Sequence, residues 1–300
     1  MLGNISSIFS AGEINNYLKS GWINNYYCSC GELASDCSFW PNVKASLEKS
    51  IQPDPMEILD LSDRLENWRY FLKRPFQKTN ASDDAQEKYV NFNSALISSI
   101  AELQGSEWVV DASKNPVRLH HLLESDELDC SAIHIIRDPR GVCWSMMKPS
   151  PKNLQAGIQK DLPSIPYIVT IKTLYLNAFF AEKVKRKMPT KHISIKYDDL
   201  LNATNSTLEK IGALMKTDTS GLQRLVASNE SFQQDHNIAG NRLRMKSNIK
   251  LRYDQSWKNE LSGFQYFAIT LLTLPLLLKY NFPLNRRISH ENERVASRLH

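Results

Sequence analysis

The segment 133–145, IHIIRDPRGVCWS, places a short apolar strand directly before a helix start. Its isoleucines are typical of a strand that is covered on both faces, and Pro139 fixes the φ angle that a first helical turn requires. Ligands of open α/β sheets bind at the carboxyl ends of strands, so Arg137 and the amides of the following helix predict an anion site. Ser145, two helical turns on, could add a hydroxyl. The alternative is an Arg–Asp pair that only caps the helix.

The same junction recurs twice. WVV at 108–110 runs into DASKNP, and HISI at 192–195 runs into KYDDL. Each is a β-rich run followed by polar residues and a helical pattern, so the sequence predicts an α/β fold in which three polar loops gather at one edge of one parallel sheet. Helices are predicted over 84–103, 116–123, 165–188 and 204–215. Residues 54–83 give no clear assignment.

Length and composition fit a single large core. With 300 residues, 42% of them hydrophobic, we expect one domain over 1–285 and a charged, mobile tail over 286–300. The net charge of +5 suits an anionic ligand, but the basic residues are spread along the chain, so nucleic acid is not indicated. No secretory signal opens the chain, and the apolar segment 264–278 is too short to span a bilayer. It is expected to be a buried helix under the sheet, in a cytoplasmic protein.

Three of the five cysteines form a cluster. Cys28, Cys30 and Cys37 follow the pattern C-x-C-G-x5-C, while Cys130 and Cys143 lie near the central strand. A structural zinc site needs four ligands, and the pattern offers no clear fourth. We therefore expect no metal here, and either reduced thiols or a local disulfide.

Five segments, taken in order, resemble the PAPS-dependent sulfotransferase family, above all its bacterial members and the tyrosylprotein sulfotransferases. They are WVVDASKNPVRL, IHIIRDPRGVCWS, KYDDLLNATNSTLEKIGALM, HNIAGNRLR and residues 254–257. PAPS is 3'-phosphoadenosine 5'-phosphosulfate. The resemblance implies a three-layer α/β domain of the P-loop type. It also implies transfer of a sulfonate group from PAPS, without a metal, to a hydroxyl or amine acceptor.

The resemblance assigns roles to four residues at the reacting end and the 3'-phosphate. It implies that Arg137 and Ser145 hold the 3'-phosphate and that Lys114 contacts the bridging oxygen of the transferred sulfate, stabilising charge on the leaving phosphate. Glu13 matches the glutamate that takes the proton from the acceptor hydroxyl. The alternatives are a solvated lysine at a helix start for Lys114 and a helix cap for Glu13.

Further residues are implied to contact the nucleotide. Tyr197 matches a tyrosine near the adenine, although a tyrosine packed in the core is the alternative. Gly240, Asn241 and Arg244 fall in a loop that closes over the nucleotide in relatives, and Arg242 could substitute for Arg244.

One family element is missing from the chain. The loop of the form Arg-Ser-Gly-Thr-Thr, which binds the 5'-phosphosulfate after an N-terminal strand, matches no run in the 300 residues. We expect that the natural start lies upstream or that this is a truncated remnant. In both cases the first strand would be absent and residues 1–300 would transfer no sulfonate.

Two other functions stay open. One is a nonenzymatic, nucleotide-binding remnant of a sulfotransferase. The other is a nucleotide kinase-like phosphotransferase, which the lack of a lysine-bearing phosphate loop and of Mg²⁺ carboxylates disfavours. The acceptor cannot be read from the sequence, although residues 14–83 are expected to shape its pocket.

Overall fold

A computed structural model describes residues 1–69, 81–153, 161–240, 242–246, 249–251 and 253–286. The chain forms two compact units. The first contains Met1–Cys130 and Ser231–Ile249, and the second contains Ser131–Lys152 and the described residues in 160–230 and 250–300. The predicted single domain over 1–285 thus comprises two units, each described by itself below.

Among its described residues, the first unit combines one parallel strand pair with four α-helices. Its elements are β1 (Ile8–Gly12), α1 (Trp40–Ser50), α2 (Pro55–Leu65), α3 (Ala81–Gln104), β2 (Trp108–Asp111) and α4 (Pro116–Leu122). Strand β1 pairs in parallel with β2, with a register shift between Ser10 and Gly12. A π-helical segment, Tyr17–Ile23, follows β1.

The core of the first unit is rich in aromatic side chains. Phe9 of β1 packs against Phe39, with ring centroids 5.0 Å apart. Tyr17 stacks on Trp40 at 4.9 Å, and both rings are buried. Buried side chains of helices α1, α2 and α3 complete this core, so strand β1 is fixed against a helical layer.

The second unit also has one parallel strand pair. Its elements are β3 (Ala132–Ile136), α5 (Pro139–Met147), α6 (Tyr167–Lys187), β4 (His192–Lys196), α7 (Tyr197–Asn202), α8 (Thr204–Met215), α9 (Ser220–Ala227), α10 (Trp257–Glu260) and α11 (Gly263–Lys279). Strands β3 and β4 pair in register from Ala132 with His192 to Ile136 with Lys196.

A buried arginine organises the second unit. Arg140 is 1% exposed, and its guanidinium carbon lies 5.1 Å from the ring centroid of Trp257 and 5.3 Å from that of Tyr266, two rings that stack on each other. Its guanidinium donates to the Tyr266 hydroxyl at 2.9 Å and to the Pro283 carbonyl oxygen at 2.6 Å. A side chain at Gly141 would crowd the Trp257 indole, which explains the glycine at that position.

The sequence predictions of the elements are largely confirmed. The four predicted helices appear as α3, α4, α6 and α8, and the predicted strands as β2, β3 and β4. The single three-layer sheet is not confirmed, because β2 pairs with β1 and β3 with β4 in separate sheets of the described chain. What the structure shows is a mixed α/β fold with two small parallel sheets. Strand β1 and helix α2 were not predicted.

Burial differs from expectation at two apolar segments. Ile135 of β3 is 53% exposed, so this strand is not covered on both faces. Helix α11 buries Ile269 and Leu277 but leaves Phe264 and Phe267 exposed, so it is amphipathic rather than buried all round. In the part of the chain that is described, no helix is long and apolar enough to cross a membrane.

The predicted tail begins with an anchored residue. Arg286 donates from Nε to the Lys258 carbonyl oxygen at 2.6 Å and from Nη2 to the Leu261 carbonyl oxygen. The rest of the predicted tail, 287–300, lies outside the described residues.

Candidate functional site

The residues that the sequence singles out divide between the two units. Glu13, Lys114, Gly240 and Arg244 lie in the first unit. Arg137, Ser145 and Tyr197 lie in the second. In each unit, predicted residues follow the carboxyl ends of paired parallel strands, as expected for α/β ligand sites.

Glu13 and Lys114 form an ion pair. Glu13 follows β1 and Lys114 lies three residues after β2, and Lys114 Nζ is 2.5 Å from Glu13 Oε1. The lysine side chain is 70% exposed and the glutamate 21%. Glu13 is the N-cap residue of the 3-10 helix Ile14–Asn16, but its side chain makes no capping hydrogen bond; the second carboxylate oxygen accepts from Asn16 Nδ2 at 3.2 Å. Glu13 is thus at a helix cap, as the alternative expected, but its carboxylate pairs with Lys114 instead of capping the helix, and Lys114 is paired rather than simply solvated.

The backbone of Lys114 is held in a conformation that lysine rarely adopts. Its φ is +58°, in the left-handed region. The residues on both sides are fixed: Ser113 N donates to Asp111 Oδ1 at 2.9 Å, and Asn115 Nδ2 donates to Glu66 Oε2 at 3.1 Å. Such strain costs about 1–3 kcal/mol and persists only where neighbours impose it, which is common at functional sites.

A network of buried polar side chains holds the loop that contains Lys114 in place. Arg118, 2% exposed, donates from Nε to Asp111 Oδ2 at 2.9 Å and from Nη1 to Asn93 Oδ1 at 2.7 Å. The hydroxyl of Tyr89 accepts from the same Nη1 at 3.0 Å and donates to Glu66 Oε1 at 2.7 Å. Burial raises the pKa of Tyr89, which keeps its hydroxyl a donor. None of these residues was singled out from the sequence, because their common environment arises only in the fold.

The predicted nucleotide loop passes beside Glu13. Gly240 has a φ of +125°, and a Cβ built there would be 3.7 Å from Glu13 Oε1. Asn241 lies outside the described residues. The backbone of Arg242 belongs to the 3-10 helix Arg242–Met245.

Arg244 has a structural role in the first unit. It is 6% exposed, and its Nη1 donates to the carbonyl oxygens of Tyr27 at 2.8 Å and Asn237 at 3.0 Å. These bonds tie two distant chain segments together. A contact of Arg244 with a nucleotide stays a prediction.

In the second unit, the helix cap and the candidate anion ligand are different residues. Asp138 caps α5 by accepting from Arg140 N at 2.9 Å, and its carboxylate pairs with the Arg140 guanidinium at 2.6 Å. Arg137 lies over the Tyr197 ring, with its Cζ 5.3 Å from the centroid. Within the described residues, no carboxylate is in ion-pair distance of Arg137, so the Arg–Asp cap does not use its charge. Ser145 is an exposed residue of α5.

Carboxylates surround Arg137 at longer range. Burial, followed by the charge of Asp138, raises the pKa of Asp198, whereas Arg137 acts to lower it. The pKa of Asp254 is lowered against burial by hydrogen bonds from Ser256, with a further contribution from Arg137. The guanidinium therefore contributes a positive potential at the carboxyl end of β3.

The cysteine cluster has the fourth ligand that the sequence did not reveal. The ligand atoms of Cys28, Cys30, Cys37 and His236 all lie within 4.8 Å of one another. The expectation of a cluster without a fourth ligand is wrong, because His236 joins it from about 200 residues further along the chain. No local disulfide forms, since all five cysteines are free. Burial raises the pKa of Cys28 to about 12 and lowers that of His236.

A comparison of the chain with protein-family models, curated proteins and solved structures found no match. The class that the structure defines is therefore a mixed α/β protein.

Proposed function

We propose that this protein is a PAPS-dependent sulfotransferase, which moves a sulfonate group from PAPS to a hydroxyl or amine acceptor. The observation that carries the proposal is the Glu13–Lys114 pair at the carboxyl ends of neighbouring parallel strands. Sulfonate transfer needs a base that accepts the proton of the acceptor and a cation that stabilises the leaving phosphate. A carboxylate and an ammonium group side by side can supply both.

The chemistry assigns one task to each member of the pair. Glu13 takes the proton of the acceptor hydroxyl as its oxygen forms a bond to sulfur. The bond between sulfur and the bridging oxygen breaks, and Lys114 stabilises the negative charge that develops on the leaving phosphate. Because the Lys114 side chain is 70% exposed, it has room to move from Glu13 to the phosphate, which leaves the glutamate free as a base.

The second unit supplies the features expected of a 3'-phosphate ligand. No carboxylate among the described residues is within ion-pair distance of the Arg137 guanidinium, which lies over the Tyr197 ring in a cation–π contact. A bidentate guanidinium–phosphate contact is among the stronger charged hydrogen-bonding arrangements in proteins. This supports selection of a nucleotide that carries a 3'-phosphate.

Nucleotide binding provides the direct test. Calorimetric titration of adenosine 3',5'-bisphosphate, the desulfated product, should give saturable binding that Arg137→Ala weakens by about 10–100-fold, as expected for loss of a charged hydrogen bond. Arg224→Ala, at an exposed arginine of the same unit, is the matched control and should bind as the wild type does. Equal affinity for AMP, which lacks the 3'-phosphate, would overturn the proposal.

A further inference from the structure

Four side chains of the first unit converge on one point outside the Glu13–Lys114 pair. His236 Nδ1 is 3.2 Å from Cys37 Sγ and 3.7 Å from Cys28 Sγ. Cys30 Sγ is 3.7 Å from Cys37 Sγ. One nitrogen and three sulfurs thus form a compact set in which every pair is within 4.8 Å.

These separations match the edges of a metal-centred tetrahedron. With Zn–S near 2.3 Å and Zn–N near 2.0–2.1 Å, tetrahedral angles place two sulfurs about 3.8 Å apart and sulfur and nitrogen about 3.6 Å apart. The Cys30–Cys37 and Cys28–His236 distances fall within about 0.2 Å of these values. The Cys37–His236 distance of 3.2 Å is about 0.4 Å shorter than the tetrahedral value, and no pair exceeds 4.8 Å, so shifts of some tenths of an ångström to about 1 Å would bring the four atoms to the positions that a tetrahedral ion requires.

A disulfide does not account for this arrangement. Bonded sulfurs lie about 2.05 Å apart, far less than the 3.7 Å between Cys30 and Cys37. Three cysteines also leave one unpaired in any disulfide scheme, and a histidine nitrogen directed at two of the sulfurs has no part in one.

The first three ligands come from a tight local structure. An antiparallel bridge joins Tyr27 and Leu33, and Cys28 N donates to the Glu32 carbonyl oxygen at 2.8 Å. Gly31, with a φ of +96°, allows the sharp turn between them. The turn after Leu33 then returns Cys37 to the same point, because Cys37 N donates to the Leu33 carbonyl oxygen at 2.9 Å.

The fourth ligand is brought in by bonds through Ser29. Ser29 N donates to the Asn237 carbonyl oxygen at 2.9 Å, and Asn237 N donates to Ser29 Oγ at 2.8 Å. Ser29 Oγ in turn donates to the Asp235 carbonyl oxygen. The Phe39 ring stacks on the His236 imidazole at 5.4 Å. Hydrogen bonds and packing thus fix the ring independently of any ion, as supporting contacts do around metal ligands.

We propose that Cys28, Cys30, Cys37 and His236 bind one zinc ion in a closed tetrahedral site. Thiolate and imidazole ligands in a tetrahedron favour zinc over the harder calcium and magnesium ions. Four protein ligands leave no open position, so the ion is structural rather than catalytic. Binding releases the three thiol protons to solvent, and the neutral imidazole coordinates through Nδ1.

The ion would hold the segment that passes beside Glu13. Residue 237 follows the ligand His236, and its side chain lies against Gly12; Gly240 lies beside Glu13 three residues later. Zinc at residues 28–37 and 236 would therefore fix the position of this segment, while the assignment of the metal site itself does not depend on the proposed sulfotransferase activity.

Metal analysis and cobalt substitution test the site. Protein purified without chelators should contain one zinc per chain, and cobalt in its place should give the intense visible bands of tetrahedral Co²⁺ with sulfur-to-cobalt charge transfer. Cys30→Ser changes an exposed cysteine, so the fold should survive while cobalt affinity falls by at least about 100-fold. His236→Gln should have the same effect.

Two further variants make the outcome decisive. Cys30→His supplies a new ligand and should restore zinc binding with weaker charge-transfer bands, while Cys130→Ser, outside the cluster, should bind as the wild type does. The proposal is overturned if wild-type protein refolded with equimolar zinc takes none up, or if Cys30→Ser and His236→Gln bind cobalt as tightly as wild type. Equal loss in Cys130→Ser would also contradict it.

Discussion

The side-chain amide of Asn237 occupies the space that a Cβ atom at residue 12 would need. Gly12 ends strand β1 with a φ of +70°, and Asn237 Oδ1 lies closer to the built Cβ position than real Cβ contacts allow. The backbone carbonyl oxygen of Gly12 accepts a hydrogen bond from Ala112 N at 2.7 Å. The glycine thus lets β1, β2 and the segment after His236 meet directly beside Glu13.

This contact predicts a large effect of Gly12→Ala. The variant adds left-handed strain of about 1–2 kcal/mol and an overlap with Asn237, so we expect the free energy of unfolding to fall by about 3 kcal/mol in urea titrations. Gly105→Ala is the matched control, because Gly105 has a φ of +59° but no atom within 4 Å of its built Cβ. Gly105→Ala should lose only the strain, about 1–2 kcal/mol. Equal losses in the two variants would show that Asn237 contributes no steric restriction.

The local architecture was predictable because short-range rules govern it. A β-rich run, a polar turn and an asparagine or aspartate cap followed by proline specify the junctions at Asn115–Pro116 and Asp138–Pro139, and both caps form as side-chain hydrogen bonds. These same rules place Lys114 and Arg137 after strands. They do not fix which strands pair, since pairing depends on contacts between residues far apart in sequence.

Three features could not be predicted from the sequence, because contacts between residues far apart in the chain determine them: the ligand position of His236, strand β1 and the burial of Arg118. His236 carries no motif of its own and becomes a candidate ligand only because Ser29 and Arg244 bring its segment to the cysteines. Strand β1 is short and contains Ser10 among its apolar residues, so its pattern is weak until it pairs with β2. From the sequence alone, Arg118 is expected to be an exposed charged residue of a helix, but the fold leaves it only 2% exposed.

Measurements of kcat should distinguish the catalytic roles proposed for Glu13 and Lys114 from a role in nucleotide binding. In protein to which a phosphosulfate-binding loop has been added by fusion, Lys114→Ala and Glu13→Ala should each lower kcat by about 100-fold or more with radiolabelled PAPS. Affinity for adenosine 3',5'-bisphosphate should stay within about threefold, because the lost interactions act in the transition state.

An exposed ion pair in the same unit provides the control for that experiment. Lys88 Nζ lies 3.0 Å from Glu57 Oε1, with both side chains about half exposed. Lys88→Ala and Glu57→Ala should leave turnover unchanged. Full turnover in Glu13→Ala would place the base elsewhere.

The buried network under the Lys114 loop should be intolerant of change. Arg118→Met removes the cation but leaves Asp111 and Glu66 in the network, and breaking a buried ion pair from one side costs about 3–5 kcal/mol. We expect a loss of that size in the free energy of unfolding. Arg224→Met, at an exposed arginine, should change it by less than about 0.5 kcal/mol. A similar small effect of Arg118→Met would show that the network is not needed for stability.

A pair of histidines predicts acid sensitivity in the second unit. His134 of β3 and His192 of β4 are diagonal neighbours, because His134 pairs with Ser194 and Ala132 with His192, and their ring centroids are 6.2 Å apart. Burial, followed by the charge of His192, lowers the pKa of His134 from an ordinary 6.5 to about 4. Lys279 and Lys185 add to this effect and Glu182 opposes it. The folded protein therefore keeps His134 neutral where the unfolded chain protonates it.

The sign of the pH dependence follows from this difference. Between pH 6.5 and about 4 the unfolded chain binds one more proton at His134, so the free energy of unfolding falls as pH falls, by up to about 1.4 kcal/mol per pH unit from this group. His134→Gln cannot bind that proton, so its unfolding free energy, measured by urea titration across this range, should decline less steeply than that of wild type. Ser194→Ala, opposite His134 on β4, should keep the wild-type slope. If the slopes of His134→Gln and wild type coincide, His134 is not the group that carries the acid sensitivity.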